Sequence, residues 1–187
     1  MILAILAAFV GPYFVDWTAY RPQIEAEASR LAGMRVRVLG GAEVRLLPTP
    51  WITLDEVRVG AVDAPLVTAR RVYAEIDLPS LLKGEIHVLS LGVDAPVVNL
   101  SLAADGRLAE AAAGATVDPA TVSLDAVTIT DGTVSIAGPD GVFQPRAEDI
   151  DLTLDARSLA GPYKADGTAV VAGVRTAVRI GTGAAEA

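Results

Sequence analysis

The residues of this 187-residue chain with the greatest capacity for chemistry are one histidine, His87, and a row of three aspartates, Asp149, Asp151 and Asp155. An imidazole could act as a general base, and converging carboxylates could hold a divalent cation. His87 lies in the middle of a predicted strand, where a lone histidine is more often solvated or hydrogen-bonded than catalytic. Strand alternation places the aspartates on one face, opposite large aliphatic residues, which favours a solvated surface over a metal site.

Motifs for other chemistries are absent from the sequence. There is no phosphate-binding G-x-x-x-x-G-K-[ST] loop, no G-x-S-x-G nucleophile elbow and no zinc-binding H-E-x-x-H. The Gly-Thr-Gly at positions 181–183 follows a predicted strand but no helix comes after it, so a dinucleotide site is excluded. We therefore predict no catalytic residues, no metal, no cofactor and no enzymatic activity.

The composition points away from nucleic acid and towards apolar surfaces. Hydrophobic residues make up 52% of the chain and aromatic residues only 5%, and the net charge is −8. A nucleic-acid surface needs clustered lysine and arginine, whereas the 15 basic residues here are scattered. The chain has no cysteine, which excludes disulfides and thiolate metal sites.

The first fifteen residues, Met1–Val15, carry no charge. As a helix they would rise about 22 Å, short of the roughly 30 Å hydrocarbon core of a bilayer. We expect a transmembrane anchor whose first residues are missing from this sequence, and Phe14, Trp17 and Tyr20 resemble an interfacial aromatic belt. A signal-peptide apolar region or an ordinary buried segment are the alternatives. The predicted anchor residues are Ile2, Leu3, Ile5, Leu6, Phe9, Phe14 and Trp17.

A short helix is predicted after this segment. Pro22 suits its first turn, where a missing N–H costs nothing, and Gly33 suits its C-terminal end. Ile24, Ala28 and Leu31 recur at helical spacing and form one apolar stripe. We expect a surface helix that plugs the end of a sheet, with a helix lying on the membrane surface as the alternative.

From Met34 onwards the hydrophobic period changes to two, the period of strands. Turns are predicted at Gly40-Gly41 and at Gly138–Gly141, and a last hairpin is predicted around Gly173. Asp131-Gly132 is the strongest hairpin signal in the chain. The predicted strands cover residues 34–38, 43–46, 52–59, 71–78, 85–91, 93–102, 122–130, 133–136, 149–155, 163–172 and 174–180.

The fold class that follows is mainly β, with the two N-terminal helices ahead of a curved, largely antiparallel sheet. Patterning alone favours a β-sandwich, in which a second sheet buries the apolar face. The scarcity of aromatic plugs and the neighbouring membrane anchor favour instead a sheet whose apolar face lines an open groove, and we predict that groove, with the sandwich as the alternative. The predicted groove-lining residues are Val36, Val38, Val44, Leu46, Val72, Ile76, Leu78, Ile150, Leu152 and Leu154.

The predicted organisation has two β units joined by a connection rich in alanine and glycine. An internal echo supports this division, because residues 52–59 resemble residues 122–129, as expected when one strand unit is used twice. The predicted divisions are 1–15 for the anchor, 16–33 for a juxtamembrane helix, 34–108 for the first β unit, 109–120 for the connection and 121–187 for a second, truncated β unit.

Several motifs in fixed order carry a resemblance to a known family. The chain reads D-W-T-A-Y-R-P-Q-I-E-A-E-A-S-R-L-A-G from Asp16, then E-V-R-L-L-P-T-P and I-T-L-D-E-V-R-V-G. It continues with L-P-S-L-L-K-G-E-I-H-V-L-S-L from Leu78, then D-A-P-V-V-N-L and A-D-G-R-L. Over residues 1–108 this order and spacing resemble the N-terminal part of the AsmA family, within the superfamily of AsmA-like and TamB-like bridge lipid transfer proteins.

The resemblance implies a cell-envelope protein of a Gram-negative bacterium. It would be anchored in the inner membrane by one transmembrane helix, with the bulk of the chain in the periplasm. Its β-groove would bind phospholipid for transport in outer-membrane biogenesis, with other envelope proteins as further partners. The alternative from a different class is a structural or protein-interaction β-module of the envelope that never holds lipid.

Overall fold

Strands with alternating side chains dominate the computed structural model of this protein. A 3-10 helix, Trp17–Tyr20, leads into α1, Arg21–Ala32, and a second short helix, α2, spans Leu78–Leu82. The strands are β1 Val36–Val38, β2 Ala42–Arg45, β3 Trp51–Gly60, β4 Pro65–Ile76, β5 Ile86–Asp94, β6 Val97–Leu100, β7 Val122–Leu124, β8 Ala126–Ala137, β9 Phe143–Ala156, β10 Tyr163–Val171 and β11 Val174–Gly181. The structure describes residues 17–45, 49–83, 86–101, 122–137, 142–156 and 163–181.

All 11 strands belong to one sheet, in the order β1-β3-β4-β5-β8-β9-β10-β11. Strand β2 follows β1 along β3, β6 continues the line of β5, and β7 precedes β8. The pairs that join β5 and β6 to β7 and β8 are parallel, and the other pairs are antiparallel. The predicted mainly β class is confirmed, as a large mixed sheet that joins the described strands of both predicted β units.

The predicted turn at Gly40-Gly41 is wrong. Strands β1 and β2 both pair with β3, so the chain does not reverse between them. The Gly40 N–H donates to the Asp55 carbonyl at 3.1 Å, and the Asp55 N–H donates to the Gly41 carbonyl at 2.9 Å. A Cβ at Gly40 would lie 2.8 Å from the Asp55 Cβ, so the glycine allows the close backbone approach of a bulge rather than a turn.

The predicted hairpin at Asp131-Gly132 is also wrong, because both residues lie inside β8. A two-residue type I′ turn needs positive φ at both central residues. Within the described residues Asp131 has a φ of 56°, whereas Gly132 is not among the glycines with positive φ. The dipeptide therefore forms a bulge that lets the strand continue. By contrast, the hairpin predicted around Gly173 is confirmed, since Val171 pairs with Val174 and both Ala172 and Gly173 have positive φ.

Left-handed residues recur at matching positions in neighbouring strands. Glu56 in β3, Ala95 between β5 and β6, Asp131 in β8 and Asp149 in β9 have φ values of 53°, 48°, 56° and 46°. The strand register places Ala95 beside Asp131, because Asp94 pairs with Thr130 and Val97 with Thr133. We call Glu56, Ala95, Asp131 and Asp149 the bulge line.

The bulge line shifts the in-and-out alternation of the strands by one residue. In β3 the apolar residues Leu54 and Val57, on either side of the bulge, are separated by an odd number of positions. The same is true of Ile129 and Val134 in β8. A side-chain period of two would otherwise turn one half of each strand to the wrong face. The bulges therefore keep the apolar residues of both halves on the same face of the sheet.

Helix α1 lies inside the predicted 16–33 segment and covers one end of the apolar side of the sheet. A proline lies in its first turn, and Gly33 ends it with a φ of 65°. Its residues Ile24, Ala28 and Ala32 pack against a buried cluster in β1 and β3. The sequence predicts Leu31 as the third residue of the apolar stripe, but Ala32, one position further along the helix, makes this contact instead. The buried cluster consists of Val36, Val38, Leu54 and Val57.

Side chains of α1 also occupy the outer edge of β1. A Glu25 carboxylate oxygen accepts a hydrogen bond from the Val38 N–H at 2.6 Å, and the Ser29 hydroxyl accepts one from the Val36 N–H at 2.8 Å. The Arg21 guanidinium donates to the Gly40 carbonyl at 2.7 Å. Unpaired groups of an edge strand invite pairing with another chain, and here α1 satisfies those of β1.

The predicted membrane anchor lies almost entirely outside the described residues. The anchor residues from Ile2 to Phe14 lie outside the described residues, and Trp17 begins the 3-10 helix. Within the described part, no helix has the length and apolar character needed to cross a membrane.

Leu78 is predicted to be the last residue of a strand, but it is instead the first residue of α2. The Asp77 carboxylate begins this helix, because it accepts hydrogen bonds from the Ser80 N–H at 3.0 Å and from the Ser80 hydroxyl at 2.6 Å.

The bulge line yields a stability prediction. Replacing Ala95 with glycine is expected to raise the free energy of unfolding by about 0.5–1 kcal/mol, because a left-handed backbone strains any residue with a Cβ. Ala74→Gly, in the regular part of β4, is the matched control and is expected to lower it by about 1 kcal/mol. Urea unfolding monitored by circular dichroism measures both, and an equal loss in the two variants would contradict the assigned strain.

Candidate functional site

Aliphatic side chains of neighbouring strands form three rows that cross the whole sheet on one face. Each member of a row is the cross-strand neighbour of the next, so the rows follow from the register. The first row is Val44, Ile52, Ala74, Leu91, Val127, Leu154, Ala165 and Ile180. The second row is Ala42, Leu54, Val72, Val93, Ile129, Leu152, Gly167 and Val178.

The third row lies on the other side of the bulge line. It consists of Val36, Val59, Val67, Val98, Val134, Ala147, Val171 and Val174. Seven spacings between neighbouring strands make each row about 34 Å long. We call the surface formed by the three rows the apolar face.

Most of the apolar face is not covered by other parts of the described chain. Side chains far from α1, such as Leu91, Val93 and Ile129, are only partly buried. At the β11 end Val174 is 64% exposed and Ile180 55% exposed. In a β-sandwich the opposing layer would bury the middle of this face. The described strands form a single sheet instead, and α1 covers only the end formed by β1 and β3.

The predicted lining residues occupy several different environments. Val44, Val72, Leu152 and Leu154 belong to the first two rows. Ile76 pairs with Val88 on the same face, and Ile150 is buried opposite Gly132. Val36 and Val38 are buried beneath α1, Leu78 lies in α2, and Leu46 lies outside the described residues.

Sequence reasoning missed the residues at the centre of the apolar face. Leu91 and Val93 in β5 and Ile129 in β8 hold the middle of the first two rows. Their strands change phase at the bulge line, so a search for one unbroken alternation gives them no clear face. These residues could have been identified from two runs of alternating apolar and polar residues, one before and one after Asp131, that differ in phase by one residue.

The opposite face of the sheet is polar. One of its rows is Glu43, Thr53, Tyr73, Gly92, Thr128, Thr153, Asp166 and Arg179. Ion pairs join neighbouring strands there, with Arg179 2.7 Å from Asp166 and Arg71 2.8 Å from Asp55. The sheet is therefore amphipathic, with one polar and one aliphatic surface.

Arg70 links the two halves of the sheet on the exposed side. Its guanidinium makes two hydrogen bonds to the Asp94 carboxylate, at 2.9 and 3.0 Å, and lies 3.7 Å from Asp131 in β8. These hydrogen bonds favour the charged form, so they hold the pKa of Asp94 below its usual value. The contact bridges β4, β5 and β8 at the point where the parallel partner of β8 changes from β5 to β6.

This ion pair predicts a pH effect on stability. The Asp94 pKa is lowered in the folded state, so the pair stabilises the fold above the ordinary aspartate pKa and is lost as pH falls through the lowered value. Asp94→Asn is therefore expected to destabilise the protein slightly at pH 7 and to have no effect at strongly acidic pH. Urea unfolding at the two pH values measures this, with Asp63→Asn in the exposed β3–β4 loop as the control. A difference that persists in acid would contradict it.

Of the residues that first suggested catalysis or metal binding, His87, Asp149 and Asp151 are engaged in structural contacts. The His87 Nε2 lies 2.9 Å from an Asp125 carboxylate oxygen, which ties β5 to the start of β8. Asp149 pairs with Arg175 at 3.3 Å, and Asp151 accepts a hydrogen bond from the Asp131 N–H at 3.0 Å. Asp149 is also part of the bulge line, so the predicted simple alternation of the three aspartates is interrupted there.

The apolar face offers a large contact surface. Aliphatic side chains can bind an apolar ligand through the area removed from water, without any directed polar contact. Among the described residues there is no group of three or more His, Cys, Asp or Glu side chains that could hold a metal ion. No protein-family model and no curated protein matches this chain.

Proposed function

We propose that the protein is a non-enzymatic lipid-binding protein that holds acyl chains on its apolar face. The observation that carries the proposal is the three apolar rows, aliphatic at every position except Gly167, which are partly exposed beyond the end covered by α1. Soluble domains rarely leave so large a contiguous apolar surface uncovered, and such surfaces are typical of interaction sites. The absence of polar groups within the rows suits a hydrocarbon chain, which needs none.

The energy available is of the right size for lipid. Complete burial of each methylene group contributes about 0.8 kcal/mol, so roughly ten methylenes on the face set an upper bound of about 8 kcal/mol. A row about 34 Å long exceeds the length of such a chain. The apolar face can therefore offset much of the cost of removing a phospholipid from a bilayer.

The resemblance to the AsmA family adds a cellular setting to this proposal. On that basis the protein is anchored in the bacterial inner membrane through residues 1–15, and its sheet lies in the periplasm. Phospholipid is then the ligand, and transfer towards the outer membrane during envelope biogenesis is the role. Helix α1 would lie between the membrane and the sheet, because it directly follows the predicted anchor in sequence.

Photo-crosslinking in living cells tests the proposal. Benzoylphenylalanine at position 91 replaces Leu91 in the middle of the first row, and the same group at position 90 replaces Ser90, whose side chain points to the polar face. We expect phospholipid adducts, identified by mass spectrometry, at position 91 and few at position 90. Adducts to protein alone at position 91 would favour the interaction module and overturn the lipid proposal.

A further inference from the structure

The polar face carries two adjoining depressions at its β2–β4 end. One has a volume of about 480 Å³ and the other about 420 Å³, and Thr53 and Tyr73 line both. Together they form one shallow trough, with a volume in the range of small-molecule sites. Glu43, Asp55 and Arg71 also line one depression, and Trp51 and Glu75 also line the other.

Two aromatic rings line the trough. A Cβ on Gly92 would lie 1.8 Å from the Tyr73 ring, so the ring rests directly on the bare backbone of the neighbouring strand, while Tyr73 remains 42% exposed. Trp51 sits diagonally across from it, since Trp51 pairs with Glu75 and Thr53 pairs with Tyr73. The guanidinium of Arg45 lies 5.1 Å from the centre of the Trp51 ring and holds it from the β2 side.

Carboxylates and a guanidinium surround these rings. The Arg71 Nε donates to an Asp55 carboxylate oxygen at 2.8 Å, which fixes both groups beside Tyr73. Glu43 lines one depression and Glu75 lines the other. Fixed carboxylates and guanidinium groups can each accept or donate several hydrogen bonds in a plane.

We propose that this trough binds a neutral glycan. The C–H face of a pyranose ring is apolar and stacks on an aromatic ring, while its hydroxyls need nearby acceptors and donors. Diagonal positions on paired strands lie about 7 Å apart at the backbone, so Trp51 and Tyr73 can contact different sugars of one oligosaccharide. Three carboxylates against two arginines leave an excess of negative charge, which disfavours an acidic glycan.

This inference does not depend on the proposed function. The trough and the apolar face lie on opposite sides of the sheet, because Tyr73 belongs to the polar row and its neighbour Val72 to the second aliphatic row. A glycan and a lipid could therefore be bound at the same time. Loss of one would leave the other unchanged.

Saturation-transfer NMR tests the inference with the full chain in lipid nanodiscs, because alkyl-glycoside detergents would compete for the trough. The probes are cellotetraose and chitotetraose, with tetragalacturonic acid as the anionic comparison. We expect saturation of the neutral sugar C–H protons, and an affinity for the acidic probe at least about tenfold weaker. No binding of either neutral probe, or tighter binding of the acidic one, would overturn the proposal.

Substitutions locate the site. Trp51→Leu is expected to weaken binding about tenfold, because the stacking ring is lost. Tyr73→Phe keeps the ring over Gly92 and is expected to retain binding within about threefold. Phe143→Leu, at an equally exposed aromatic residue in β9, is the matched control and should change nothing. Binding that survives Trp51→Leu with the fold intact by circular dichroism would place the glycan elsewhere and overturn the assignment.

Discussion

Replacing Ile129 with aspartate is expected to abolish lipid binding without unfolding the protein. Ile129 lies in the centre of the second aliphatic row, between Val93 and Leu152, and is partly exposed. In the free protein water can reach the new carboxylate, so the cost to folding is small. An acyl chain on the face would remove that water, and an unpaired polar group costs roughly 3 kcal/mol to bury, equivalent to about 100-fold in affinity.

Thr128→Asp is the matched control for this substitution. Thr128 precedes Ile129 in the same strand, and its side chain lies on the polar face beside Gly92. Phospholipid that co-purifies with each variant is measured by mass spectrometry, and the melting temperature reports on the fold. We expect lipid to be lost only with Ile129→Asp. Equal lipid content in both variants would remove the apolar face from the binding site.

Replacing Val38 with aspartate is expected to unfold the protein. Val38 is 1% exposed, packs in the cluster beneath α1, and has its N–H bonded to the Glu25 carboxylate. The substitution would bury a carboxylate among apolar groups and near a second carboxylate. We expect a loss of about 4 kcal/mol or more, which is comparable to the whole stability of a small domain.

Val98→Asp tests whether the apolar face is open to water or covered by a second layer. Val98 lies in the third aliphatic row, away from the cluster under α1, and is partly exposed. We expect Val98→Asp to cost less than about 1 kcal/mol, because water reaches the carboxylate. Chemical unfolding measures both variants. A similar, severe loss at Val98 would mean that a second layer covers the face, as in a β-sandwich.

Local sequence patterns predicted the elements of this fold well. The boundaries of α1 follow from Pro22 and Gly33, whose backbone preferences act within a single turn of helix. The final hairpin at Gly173 follows from a turn in which both central residues have positive φ. In each case the information lies within a few adjacent residues.

The sequence could not predict the features that depend on neighbouring strands. Asp131-Gly132 carries a hairpin signal, yet β5, β6 and β9 pair with β8 on both sides of it. The strand therefore continues through a bulge, and tertiary pairing overrides the local preference. The parallel pairing of Val93 with Ile129 joins strands with a long stretch of chain between them. No local pattern encodes that register, and the centre of the apolar face depends on it.

The helix that shields the outer side of β1 also limits how copies of this protein can associate. Glu25 and Ser29 already occupy the N–H groups of Val38 and Val36, whereas β11 ends the described sheet with nearly all its residues exposed. Another chain that adds a strand beside β1 would therefore have to displace α1 first.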